Sequence, residues 1–77
     1  HLEVARSALK HGIAKTSIQS AVPVPIAEIP LSRDRNLVIC ADHNGPLLEL
    51  VVLDPDTDPV VIHAMPLRKK FYQFLER

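Results

Sequence analysis

Residues 61–72, VIHAMPLRKKFY, place a histidine, an arginine, two lysines and a tyrosine directly after an apolar run. His63 alternates with Val60, Ile62 and Ala64 and falls on the side of Val61 and Met65 of a strand. A polar ring in that setting is either a hydrogen-bonded, half-exposed strand histidine or a group that moves protons or contacts phosphate. Arg68 and Tyr72 are four apart and share one shoulder of a helix, while Lys69 points away. Arginine can hold a phosphate through two parallel hydrogen bonds, and the first turn of a helix presents N–H groups that favour anions. The helix dipole disfavours cations there, so the Arg68, Lys69, Lys70 cluster opposes a local rule without evident structural gain, which is a mark of functional sites. A solvated helix face accounts for Lys69 and Lys70 equally well.

A second basic pair, Lys10 and His11, precedes Gly12. Basic side chains at a helix end satisfy its last carbonyls, so capping is sufficient for both; proton transfer or phosphate binding is the alternative if this end meets His63. Glu49, set among Leu47, Leu48 and Leu50, is either at an exposed strand position or paired with a cation, and it is placed to orient His63 or Arg68. Asp54, Asp56 and Asp58 alternate like calcium ligands but lack the glycine and the closing glutamate of an EF-hand, so they read as a turn. Cys40, Asp42, His43 and His63 have no convincing zinc spacing, and neither a metal nor another cofactor is expected.

These side chains need elements to position them. Leu2, Ala5 and Leu9 predict a first helix over 2–11, stopped by Gly12. Thr16 and Gln19 have capping-box spacing, and Pro23 forbids continuation, so a second helix is expected over about 17–22. From residue 26 the period is that of strands: IAEIPL, NLVICAD, PLLELVVLD and PVVIHAM, separated by SRDR, HNG and PDTD. Connections so short predict a four-stranded antiparallel meander, with Pro30 marking the first of these strands as an edge. Leu67, Phe71, Phe74 and Leu75 fall at i, i+4, i+7 and i+8 after Pro66, the pattern of an amphipathic closing helix. The expected fold is therefore α+β in the order ααββββα, with the helices on one face of the sheet. Both faces of the last two strands read as apolar, so an uncovered patch, and with it an interface to a partner protein or a second copy, is the non-catalytic reading.

At 77 residues the chain has room for one domain, spanning 1–77. Hydrophobic residues at 47% and charged ones at 23% match a folded domain, and two glycines are too few for a glycine-rich phosphate loop. One cysteine excludes an internal disulfide and points to a reducing cytoplasm. No apolar run approaches the roughly 18 residues that span a bilayer, so no membrane contact is expected. The zero net charge divides into a basic start (+2 over residues 1–27), an acidic middle (−5 over 28–59) and a basic end (+3 over 60–77). If the two basic ends meet, they make a local anion-binding surface. A non-enzymatic RNA platform is disfavoured because Phe71, Tyr72 and Phe74 are the only aromatics and two of them are needed by the core.

KHGI before a second short helix with a proline end, a hairpin carrying Asn44 and Gly45 that leads into LLELVV, and VIHAMPLRKKFY resemble the small bacterial toxins of the BrnT-like group, distant relatives of the RelE/ParE-type toxins. The resemblance extends over nearly the whole chain. It implies the toxin of a toxin–antitoxin pair: a metal-independent endoribonuclease that inhibits translation, has RNA as substrate and is held by a cognate antitoxin. By position it places the family's basic residues before glycine at Lys10 and His11, its fourth-strand residue at His63, and the basic and aromatic residues of its last helix at Arg68, Lys69 and Tyr72. The implied catalytic set is His63, Arg68, Tyr72 and His11, with Lys10, Lys69 and Lys70 on RNA and Glu49 in support. Related sequences often carry a basic residue after the hairpin glycine; Pro46 stands there in this chain and removes one phosphate contact.

Overall fold

In the computed structural model of the protein, which describes residues 2–75, strand β1 (Glu3–Val4) is followed by a 3-10 helix (Arg6–Leu9) and helix α1 (Lys15–Ala21). Strands β2 (Ala27–Ser32), β3 (Arg35–Ala41), β4 (Leu47–Leu53) and β5 (Val60–Pro66) come next, and a second 3-10 helix (Lys69–Leu75) closes the chain. The sheet order is β1-β5-β4-β3-β2, antiparallel throughout except for β1, which runs parallel to β5. The architecture is α+β with a five-stranded mixed sheet, not the expected ααββββα with four antiparallel strands. Glu76 and Arg77, counted in the basic C-terminal segment, lie outside the described residues.

The N-terminus accounts for the extra strand. A ten-residue helix is marginal by itself, whereas the edge of β5 carries unpaired backbone groups, and β-branched Val4 suits a strand. Glu3 and Val4 take that edge opposite Val60 and Val61, and the Ala5 N–H continues the pairing to the Val61 carbonyl at 2.8 Å. Only four residues of the expected first helix are helical, and they form a 3-10 turn. Helix α1 lies close to the expected span but without the capping box: Ala14 is its N-cap with no side-chain bond, and Gln19 Nε2 donates to the Leu2 carbonyl (3.2 Å).

The four strands from Ala27 onward are joined by the tight turns that their sequences require. Gly45 (φ 103°) supplies the left-handed position of the Asp42–Gly45 turn, and Asp54 (φ 52°) does so after β4, where its N–H reaches the Asp34 carbonyl at 2.7 Å. Each of two strands also carries an extra residue. Leu31 lies between the Pro30↔Asn36 and Ser32↔Arg35 pairs, and Ile62 lies between the Val61↔Val52 and His63↔Val51 pairs. Such bulges turn the following side chains to the opposite face. The bulge at Ile62 corrects the expected alternation: Val61 and Ala64 both enter the core, and His63 points to the other side.

The two faces of the sheet are covered differently. On one, Ala8, Ile18 and Ala21 pack against Val38, Cys40, Leu48, Leu50, Val52, Val61 and Ala64. On the other, Leu37 and Ile39 are buried in company with Glu49, and the closing 3-10 helix lies towards β2. The helices therefore flank both faces of the sheet. The closing element is 3-10 and buries no residue completely. Its period of three eclipses Phe71 and Phe74, whose rings stack at 6.2 Å, and dissolves the stripe expected from an α-helix. Pro66 ends β5 and does not open the helix.

Candidate functional site

The second face of the sheet carries an open groove of about 570 Å³. It is lined by Leu37 of β3, Glu49 and Val51 of β4, Ile62 and His63 of β5, Leu31, Ser32 and Arg35 of the β2–β3 hairpin, and Arg68 and Phe71 of the closing segment. Both bulged residues, Leu31 and Ile62, lie in this lining, so each departure from a regular ladder aims a side chain into the same space.

Glu49 is the centre of the polar floor. Its side chain is 1% exposed, a position that a carboxylate occupies only when its charge and lone pairs are answered. Arg68 answers both oxygens: Nε donates to Oε1 (3.0 Å), Nη2 to Oε2 (2.7 Å), and the Arg68 backbone N–H also reaches Oε1 (3.0 Å). This bidentate geometry is one that lysine cannot reproduce. His63 Nε2 lies 3.2 Å from Oε2 and completes the set. Burial alone pushes the Glu49 carboxyl up, but the Arg68 side-chain and backbone bonds and the His63 bond outweigh it, holding the pKa below the usual carboxylate range. The Arg68 guanidinium is correspondingly held further towards its charged form by Glu49. The same bonds pin the start of the closing segment to the sheet, supported by the Leu67 N–H on the Leu47 carbonyl at 3.0 Å.

Of the N-terminal basic pair, His11 reaches the same place along the β5 edge. Ser7 Oγ donates to the carbonyl of bulged Ile62 at 2.6 Å, and the His11 ring stands edge-on to the His63 ring with centroids 5.8 Å apart. His11, Glu49, His63 and Arg68 thus form one cluster from four separate stretches of chain. No match to a family model, a curated protein or a solved structure is found for the chain.

The remaining expected residues are placed less centrally. Tyr72 is 48% exposed and does not line the groove; the shared shoulder with Arg68 depended on α-helical geometry, which the closing segment does not adopt. Lys10 and Lys69 are exposed. Lys70 Nζ lies 5.1 Å and Arg68 Cζ 5.3 Å from the Phe71 ring centroid, within range of cation–π attraction. Arg35 lines the groove although it read from sequence only as part of the turn SRDR. Its signal was one of register: two residues before Leu37 on the same strand, it must share the face of Leu37. No group of three His, Cys, Asp or Glu side chains that could hold a metal ion occurs among the described residues. No described helix is long and apolar enough to cross a membrane.

Proposed function

We propose that this protein is the toxin of a toxin–antitoxin pair and cleaves RNA without a metal, acting in the cytoplasm until a cognate antitoxin occupies it. The observation that carries the reading is the convergence of two imidazoles and a guanidinium around a buried carboxylate at the floor of an open groove. The resemblance of the sequence to BrnT-like toxins points to the same chemistry.

Cleavage of this kind needs a base, an acid and a cation beside the phosphate. His63, oriented by Glu49, takes the proton of the ribose 2′-hydroxyl, whose oxygen attacks phosphorus. The bond from phosphorus to the 5′-oxygen breaks, and that oxygen receives a proton from His11, leaving a 2′,3′-cyclic phosphate and a free 5′-hydroxyl. Arg68 uses its outward donors on the phosphate while Glu49 holds the others. His11 suits the acid role better than Tyr72 because its ring is against His63. Since Glu49 compensates one guanidinium, Arg35 supplies the uncompensated positive charge of the groove lining, with Lys10, Lys69 and Lys70 exposed for the flanking backbone.

The test is cleavage of a mixed RNA pool in EDTA by wild type and by His63→Ala. Loss of about 100-fold or more in rate in the variant is expected for removal of a general base. A wild type that leaves RNA intact, or a variant that cleaves normally, overturns the reading.

A non-catalytic interaction module is the second reading. The second sheet face is partly covered by the closing segment and otherwise occupied by the groove. The greatest apolar exposure lies on and before edge strand β2, at Val24 (75%), Ile26 (52%) and Leu31 (53%). Sedimentation that shows a stable dimer dispersed by Ile26→Lys, in a protein without ribonuclease activity, would favour it.

A further inference from the structure

The proton transfers and phosphate contact proposed above engage His11, His63, Glu49 and Arg68, and leave the apolar part of the groove lining unused. That part consists of Leu31, the 53% exposed bulged residue of β2, together with Leu37 and Phe71, and Arg35 at the start of β3 adds a cation to the same lining. An exposed leucine sharing a groove with other apolar side chains makes a surface that water solvates poorly and that a flat, apolar-faced ligand would cover. Arg35 has no ion pair among the described residues, whereas Arg68 is taken up by Glu49. A volume of about 570 Å³ lies within the roughly 300–1,000 Å³ of small-ligand sites.

We infer that Leu31, Leu37 and Phe71 of this groove seat one nucleobase of the RNA, the base whose 3′-phosphate lies at His63 and Arg68, and that Arg35 reads it as guanine. The inference rests on the ribonuclease reading and adds its specificity. The occupant follows from charge and chemistry together: the apolar side chains suit the faces of a base, and the anionic phosphate is matched by Arg68 in the same lining. Among the bases, guanine presents two adjacent acceptors, N7 and O6, that match the donor fork of an arginine. Ser32 Oγ, occupied by Asp34 Oδ1 at 3.0 Å, leaves Arg35 as the reading group at that end. Arg35 is therefore a specificity-determining residue and not a catalytic one.

The experiment is a titration of the full chain with guanosine 3′-monophosphate, cytidine 3′-monophosphate and ribose 5-phosphate, followed by backbone amide NMR. Guanosine 3′-monophosphate is expected to bind at least about tenfold more tightly than the cytidine nucleotide, in line with the discrimination of a bidentate contact, and to shift the amides of Ser32, Leu37 and Phe71. Arg35→Ala and Arg35→Lys should both abolish the preference; the lysine variant keeps the charge but loses the fork, and both changes are at an exposed position that the folded chain tolerates. Equal affinity for the two nucleotides, shifts confined to another surface, or an unchanged preference in both variants overturns the inference. Selective binding by a protein that cleaves no RNA would sink the catalytic reading and leave this one standing; cleavage without base preference would do the reverse.

Discussion

At the scale of single residues, Glu49 decides most. It is a buried carboxylate whose pKa is lowered on folding, so the unfolded chain binds a proton more readily than the folded one. Stability from this group is therefore complete above its ordinary value of 4.5 and is lost as pH falls through the lower folded value. Urea midpoints measured from pH 7 down to pH 3 should show this decline in wild type and a flatter profile in Glu49→Gln. At pH 7 that variant should be less stable by about 1–3 kcal/mol, because it loses charge-assisted bonds at a buried position. Cys40 is the opposite case, a fully buried thiol pushed up to about 11 by burial and, secondarily, by Asp42. Its alkylation at pH 8 should be slow in the folded protein and follow the rate of opening; rapid labelling in native conditions would contradict its burial.

At the scale of elements, the bulge in β5 and the contacts along its edge bring the two histidines together. Ser7 reaches Ile62 across 55 positions of sequence, and the parallel strand β1 directs the chain that carries His11. Ser7→Ala should cost about 0.5–1.5 kcal/mol, since it leaves a bulge carbonyl without its donor. It should also weaken the ring-to-ring NOE between His11 and His63 while the signals of the β3–β4 pair stay unchanged. An intact NOE would show that β1 alone positions His11. In the centre of the sheet, Leu50 is fully buried between β3 and β5, so Leu50→Ala should cost about 2–5 kcal/mol by urea denaturation.

At the scale of the whole molecule, the closing segment is both lid and strut for the second face. Truncation after Leu67 should expose Leu37 and Ile39 and leave Glu49 without Arg68, lowering the melting temperature by on the order of 10 °C or more and raising binding of a hydrophobic dye. Strands and turns from Ala27 onward were legible in the sequence because their signals are local: a period of two, and Gly45, Pro30 and the aspartates at positions where the backbone turns or the sheet ends. The candidate cluster was legible in part for the same reason, as His63, Arg68 and Glu49 each broke a local rule of burial or charge, whereas His11 obeyed one and was singled out only on the condition that its end of the chain meets His63. The register at His63 was not, since an extra residue in a strand leaves no mark in its alternation. Neither was the role of residues 2–11, whose short helical pattern lost to an open strand edge more than fifty residues away, nor the position of Arg35 beside a groove that exists only once three hairpins have closed. The sequence by itself determined which residues would seek burial, turns and charge partners. Only the tertiary structure decided which of them meet, because pairing across the sheet is set by competition among distant edges and faces and not by any single stretch of chain.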